Sequence, residues 1–407
     1  MRLPIKGFPN PFRPGAGHMP PYLAGRKHET EEFRKLLLQE TIMDNMILTG
    51  LRGVGKTVLL ATFKPLAIQS EWLWVGTDLS ESTSVSEPTF ATRLITNLSV
   101  ATSQIVIGTK QKQEMGIGRE LIRENETLNF SVLEKVFIET PGLVSDKLKA
   151  VLELAWFFLE KTKWRGIIFA YDEAQNLSDH TDNNEYPLSL LLDTFQSIQR
   201  KDIPFMLVLT GLPTLFPKLV GARTYAERMF HIAMIGRLNE EDSREAIQRP
   251  IDDIEECPIS FTENSVEIIV GDSGGYPYFI QFICREVFDV WIQQQKAEAK
   301  ASVPIKEIIR KLDTYFFVGG WSRTTDRQRE LLSVISNLEN CDEEFTVQEI
   351  VNLSNKKLAK PFSPSQVNQM LNSLIGSGLI YKNRYGKYSF AVPLMGQFIR
   401  RQEKQAA

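Results

Sequence analysis

Asn45-Met46-Ile47-Leu48-Thr49-Gly50-Leu51-Arg52-Gly53-Val54-Gly55-Lys56-Thr57-Val58-Leu59-Leu60 is the stretch on which the fold turns. Asn45–Thr49, apolar in its middle, predicts a strand, and Val58, Leu59, Leu60 and Phe63 recur at helical spacing. Between them, Gly50 to Thr57 matches the pattern Gly-x-x-x-x-Gly-Lys-Ser/Thr in the strand–loop–helix setting that the pattern requires. Glycines let the backbone fold back so that its N–H groups converge on phosphate oxygens, helped by the positive end of the following helix. Gly50, Arg52, Gly53, Val54, Gly55 and Val58 are therefore candidate nucleotide-binding positions. Lys56 would bridge the β- and γ-phosphates, and the Thr57 hydroxyl would ligate Mg²⁺.

A second apolar run, Ile167-Ile168-Phe169-Ala170-Tyr171, ends in Asp172-Glu173. Carboxylates at a strand's C-terminal end suit metal and water chemistry: Asp172 would hold Mg²⁺ through water, and Glu173 would act as general base on an attacking water. A third run, Leu207-Val208-Leu209-Thr210-Gly211, carries a hydroxyl to its end, where Thr210 would meet the γ-phosphate or the lytic water. Similar short runs lie at Trp72–Val75 and Phe230–Ile235, separated by segments of helical periodicity. That alternation predicts an α/β fold with a mainly parallel sheet.

The flanks are of other kinds. Pro- and Gly-rich residues 1–20 predict an extended arm, and a helix is expected over Glu29–Gln39. Residues 80–165 form a long insertion with helices expected over Phe90–Ser103 and Val144–Lys163 around a polar stretch. Beyond Ile235 the pattern is helical: Asn239 and Thr262 cap two helices, and Gly274-Gly275 breaks the chain before a third. The last part reads as helices over Asp326–Asn337, Thr346–Ser354 and Pro364–Gly376 and a hairpin of Leu379–Lys382 and Lys387–Val392, which together predict a winged helix. The expected division is an arm (1–20), a core (21–237), a helical lid (238–320) and the winged helix (321–407).

Composition narrows the function. The chain has 407 residues, 43% hydrophobic and 24% charged, typical of a globular protein, with no apolar run near the ~18 residues of a membrane span. No membrane partner is expected. The N-terminus has prolines and glycines where a signal peptide would be apolar, so a cytoplasmic protein is expected. Cys257, Cys284 and Cys341 are widely spaced, without the pairs of a zinc site. Net charge is −3, with a modest excess of Lys and Arg confined to residues 322–407.

Taken together, the loop and the Asp172-Glu173-Ala174-Gln175 signature resemble the AAA+ superfamily of ATPases. The branch is that of origin-recognition initiators and of bacterial ATPases that regulate DNA transposition. Leu23-Ala24-Gly25-Arg26 resembles the family's element against the adenine, which implies roles for Leu23, Gly25 and Arg26. Gly274-Gly275-Tyr276-Pro277 resembles its turn opening the lid, implying Tyr276 and Pro277 as nucleotide contacts. The resemblance implies a P-loop NTPase with a five-stranded parallel sheet, the loop's strand central, a helical lid, and ATP with Mg²⁺ between lid and core, often at a subunit boundary. It also implies an arginine acting in trans, for which Arg228 fits and Arg223 stands second. Two departures are plain: Tyr278 stands where initiators often have Arg, and Thr210 where many relatives have Asn.

Three functional readings follow. One is an ATP-driven switch that assembles as a homo-oligomer. In another, DNA binding is primary, through a wing carrying Lys382, Arg384 and Lys387 and a third helix presenting Gln366, Gln369, Asn372 and Ser373 to a groove. A third makes the chain a signalling scaffold controlling a separately encoded effector protein. A GTPase is disfavoured because Asn355-Lys356-Lys357-Leu358 lacks the Asp of a guanine-reading motif.

Overall fold

The structure, a computed structural model, describes residues 9–113, 121–255, 257, 259–296, 303–384 and 386–406. It forms two compact units, each with its own apolar core. One comprises His28–Thr49 and Leu59–Met234; the other comprises the N-terminal segment to Lys27, Gly50–Val58 and the chain from Ile235 onward.

The first unit holds strands β1 (Asn45–Thr49), β2 (Trp72–Asp78), β3 (Val106–Gln113), β4 (Leu121–Thr127), β5 (Gly166–Asp172), β6 (Phe205–Gly211) and β7 (Phe230–Met234). Five of them form a parallel sheet in the order β2-β5-β6-β1-β7. Burial explains that order: β1, β5 and β6 are buried at every position, as strands covered on both faces must be, while β2 and β7 are part-exposed edges. The strand before the phosphate loop is thus interior but one place off centre; β6 is central, which corrects the expectation from the family resemblance. The helices are α1 (Lys27–Leu36), α2 (Lys56–Gln69), α3 (Glu87–Thr102), α4 (Phe130–Glu139), α5 (Val144–Leu159), α6 (Pro187–Gln199) and α7 (Leu215–Ala222). The insertion holds more than the two expected helices, since β3 and β4 pair as an antiparallel ribbon and α4 follows.

The second unit begins with α8 (Glu240–Asp252), α9 (Glu263–Ser273) and α10 (Pro277–Lys296). Asn239 and Thr262 cap the first two by accepting from Asp242 N and Ser265 N. Gly274 and Gly275 both take left-handed backbone, φ 57° and 75°, and a Cβ on Gly275 would lie 2.5 Å from the Leu238 carbonyl. Next come α11 (Ile305–Leu312) and α12 (Val318–Trp321), joined by one π turn. Then α13 (Asp326–Ser336), α14 (Val347–Lys357), α15 (Pro364–Gly376), β8 (Ile380–Arg384) and β9 (Lys387–Phe390) form the winged helix. Its third strand position, invisible in the sequence, is Phe345, which exchanges two 2.8 Å backbone hydrogen bonds with Tyr388.

A terminal helix, α16 (Met395–Ala406), was also not expected from the sequence. Phe398 stacks on Phe317 with centroids 5.0 Å apart, and the Arg401 guanidinium binds the Asp313 carboxylate. The N-terminal segment belongs to the same core. Phe12 is buried in it, and Asn10 Nδ2 donates to the Arg285 carbonyl at 2.9 Å and to Asp289 at 2.8 Å on α10. Among the described residues no helix is long and apolar enough to cross a membrane.

Candidate nucleotide-binding site

In the second unit the phosphate loop is built by backbone that only glycine adopts readily: Gly53 has φ 77° and Gly55 φ 91°. A Cβ on Gly50 would lie 2.2 Å from the Ile235 carbonyl oxygen, so that position tolerates no side chain. Lys56 is 9% exposed, and its ammonium donates to the carbonyls of Gly50 at 2.9 Å and Leu51 at 2.8 Å, bracing the loop from inside. Because α2 starts at Lys56, the positive end of its dipole lies at the loop.

Arg26 is spent on the same loop. It is buried, and its guanidinium donates to Val54 O at 3.0 Å, Gly236 O at 2.7 Å and Gly25 O at 3.1 Å. It shapes the loop through backbone carbonyls, a task that the planar fork suits and an ammonium does not. Arg26→Ala is expected to lower the midpoint of thermal unfolding by roughly 4–8 °C, and Arg26→Lys to recover little of it. Differential scanning calorimetry checks both; an unchanged midpoint for Arg26→Ala would refute the clamp.

A cavity of about 210 Å³ opens beside the loop. Of the residues expected at a nucleotide, Leu23, Arg26, Gly53, Val54, Gly55, Lys56, Thr57, Val58 and Pro277 line it. Gly25, Gly50, Arg52 and Tyr276 are not part of its lining. Gly25 instead makes a left-handed turn against the Asp242 carboxylate. Arg52 is exposed and lines a separate hollow with Phe316, Arg323 and Gly378. Tyr276 is half-buried, edge-on to Phe279. Tyr278 takes its place in the cavity: its N–H donates to Gly53 O at 3.2 Å, and a Cβ on Gly53 would lie 3.2 Å from the Tyr278 Cβ.

Sequence reasoning missed that the arm builds one wall. Arg13 to His18 line the cavity, and Arg13 N–H donates to Gln281 Oε1 at 3.0 Å. The contact fixes the amide of Gln281, itself 7% exposed and a lining residue, with oxygen toward the arm. The signal was the Pro14-Gly15-Ala16-Gly17 run next to the apolar Phe12, a pairing that a merely solvated tail does not need.

In the first unit the C-terminal ends of β5, β6 and β1 lie side by side, with Tyr171 paired to Leu209 and Leu48 to Thr210. Asp172, 4% exposed, accepts from the Thr210 hydroxyl and from Glu173 N at 2.8 Å. Thr210 therefore orients the aspartate. Glu173 takes the left-handed region, φ 51° and ψ 37°, at a cost of ~1–2 kcal/mol for a residue with a Cβ. Strain of this kind collects at functional sites. Lys218 on α7 donates to Gln175 O and Ser178 Oγ, and burial pulls its pKa down while nearby Asp179 opposes the shift. The Asp172 carboxylate is a hard oxygen donor of the kind Mg²⁺ takes.

The two candidate trans arginines differ. Arg223 makes a bidentate pair with Asp193, 2.7 Å for each bond, and Tyr225 donates to the same carboxylate. Burial would raise the Asp193 pKa, but the Arg223 and Tyr225 hydrogen bonds outweigh it and the net shift is downward. Arg228, at the end of the turn before β7, is exposed and has no partner among the described residues. On the wing, Lys382 is exposed and Lys387 half-buried; the side chain of Arg384 lies outside the described residues. On α15, Gln366 is used in capping Ser363, and Ser373 Oγ accepts from Gln328 at 2.9 Å, leaving Gln369 and Asn372 exposed.

A five-stranded parallel sheet, a glycine phosphate loop after β1, carboxylates ending β5, a helical lid and a winged helix define the AAA+ form of the P-loop NTPase fold. Among solved structures, the chain is similar to the Aeropyrum pernix ORC2 protein in its ADP form. That likeness has 12% identity, covers 97% of this chain and 98% of that one, and reaches a TM-score of 0.54. The ADPNP–ADP complexes of the same protein give 12% identity, the same coverage and a TM-score of 0.51. Cdc6p from Pyrobaculum aerophilum is 14% identical over 97% of both chains, with a TM-score of 0.47. The likeness to ORC2 is one of fold. Residues 314–399 match a family model described as a domain of unknown function, DUF8462. No curated protein matches the chain.

Proposed function

We propose that this chain is a Mg²⁺-dependent ATPase working as a nucleotide-controlled switch, which assembles with itself and acts on duplex DNA through its winged helix. The observation that carries the first part is the glycine loop braced by the buried ammonium of Lys56. An ammonium held among the carbonyls of a glycine loop gains most from an incoming polyphosphate. The apolar wall of Leu23, Ala24, Leu238 and Ala246 suits a purine, and Gln281 leaves its amide N–H₂ for a ring nitrogen. The resemblance to initiators supports adenine over guanine.

Thr57 and Asp172 would hold Mg²⁺, which when bound neutralises phosphate charge. Glu173 takes the proton of the attacking water as the water oxygen bonds to the γ-phosphorus, while the bond from that phosphorus to the bridging oxygen breaks and its electron pair leaves with ADP. Isothermal titration with ATP and GTP, together with phosphate release, tests the reading. ATP binding in the micromolar range with Mg²⁺-dependent phosphate release is expected; no binding at millimolar ATP overturns it.

Arg228 supports self-assembly, since an exposed guanidinium before the last strand is free to reach a neighbour's γ-phosphate. Arg228→Ala should leave ATP affinity unchanged and lower turnover by roughly tenfold or more. Light scattering with a non-hydrolysable ATP analogue should show association. A monomer that hydrolyses at the wild-type rate refutes this part.

DNA contact rests on the cationic wing. An arginine-free α15 with two of its polar side chains already engaged supports phosphate contact with little base reading. Binding should be weak and independent of sequence. Lys382, Arg384 and Lys387, at roughly −0.9 per phosphate, predict a slope of log K against log salt of about −3. Anisotropy on a random duplex at several salt concentrations measures it, and no binding at low salt would favour protein docking by the winged helix.

A further inference from the structure

At the exit of β5 a second side chain meets Glu173. Gln175 Nε2 donates to Glu173 Oε2, while Gln175 Oε1 accepts from Leu212 N–H at 3.1 Å. A backbone N–H can only donate, so the amide's orientation is fixed by chemistry: oxygen toward Leu212, N–H₂ toward the carboxylate. The fit is close, since a Cβ on Gly211 would lie 2.6 Å from Gln175 Oε1. The backbone of Gln175 is pinned as well, by the Lys218 ammonium on its carbonyl. Two bridges therefore join the exits of β5 and β6, the inner one from Asp172 to Thr210, the outer one running from Glu173 through Gln175 to Leu212.

From this geometry we infer that Gln175 is the positioning residue for the general base. The inference rests on Glu173 being that base. Glu173 leaves the strand in left-handed backbone with three rotatable side-chain bonds, so nothing covalent fixes where its carboxylate points. Gln175 occupies Oε2 and leaves Oε1 to take the water's proton. It also makes the carboxylate follow the turn between β6 and α7, so displacement of that turn changes the rate of hydrolysis and not the binding of ATP.

The test uses the full chain, with ATP affinity by titration and kcat by phosphate release for wild type, Gln175→Ala, Gln175→Glu, Glu173→Gln and the double variant Gln175→Ala/Glu173→Gln. Gln175→Glu keeps the length and the acceptor for Leu212 but sets a carboxylate against Glu173, so it covers the case of an alanine variant that folds poorly. Both single Gln175 variants should lose roughly tenfold or more in kcat with ATP affinity within about twofold of wild type. In the Glu173→Gln background, Gln175→Ala should cost nothing further, because a residue acting through Glu173 has nothing left to position. Unchanged or increased kcat in the single variants, or an equal loss in both backgrounds, overturns the inference. A wild type that binds ATP without hydrolysing it removes Glu173 as the base, and this inference falls with it.

Discussion

Lys56→Ala is expected to weaken ATP binding by about 100-fold or more. Two charge-assisted hydrogen bonds to phosphate at roughly 1.5–3 kcal/mol each give at least ~3 kcal/mol, and each ~1.4 kcal/mol is a factor of ten. The loss should exceed that of a surface lysine because Lys56 is 9% exposed, and charge interactions strengthen away from bulk water. The variant also uncovers the carbonyls of Gly50 and Leu51, so the nucleotide-free protein should melt lower too. Lys56→Arg keeps the charge but replaces a compact ammonium with a fork too broad for a cradle cut to one nitrogen, and should recover little affinity. Isothermal titration decides it: an affinity for ATP within threefold of wild type in Lys56→Ala would show that the phosphates lie elsewhere.

What was legible in the sequence was whatever a short-range rule dictates. Strand boundaries at Asn45–Thr49 and the helix start at Pro364 came out as read, because a buried parallel strand is a continuous apolar run and Ser363-Pro364 is a cap followed by its preferred first residue. The ribbon of β3 and β4 was missed because its residues, such as Thr-Lys-Gln-Lys-Gln, present no apolar face for a period of two to reveal. In α16 the signal was present, Met395, Phe398 and Ile399 at helical spacing, but it follows a hairpin that already seemed to close the domain.

The site divides in the same way. Loop and carboxylates follow from spacing, whereas Gln175, Tyr278, Gln281 and the 13–18 wall depend on which backbone lies beside which, information that a single sequence holds only over long range. Arg26 shows the limit from the other side. Its motif marked it as important, but only the three carbonyls around its guanidinium show that it serves the loop.

Glu173→Gln should leave ATP affinity within about threefold of wild type and lower turnover by about 10²–10⁴-fold, the range for removing a general base. The substitution is nearly isosteric and keeps an oxygen that can accept from Gln175 Nε2, so the exit of β5 should hold its shape. What disappears is the acceptor for the water's proton. Asp172, next in the chain, cannot take over, because it is buried and already accepts from the Thr210 hydroxyl and from Glu173 N. Glu173→Asp retains a carboxylate but withdraws it by one methylene from both Gln175 and the water, and should fall between wild type and the glutamine variant. Because kcat falls while affinity holds, the variant should accumulate in its ATP-bound form, and any assembly that depends on ATP should become longer-lived. Phosphate release under saturating ATP, read beside light scattering on the same sample, tests both halves. Turnover at the wild-type rate would remove Glu173 from the chemistry.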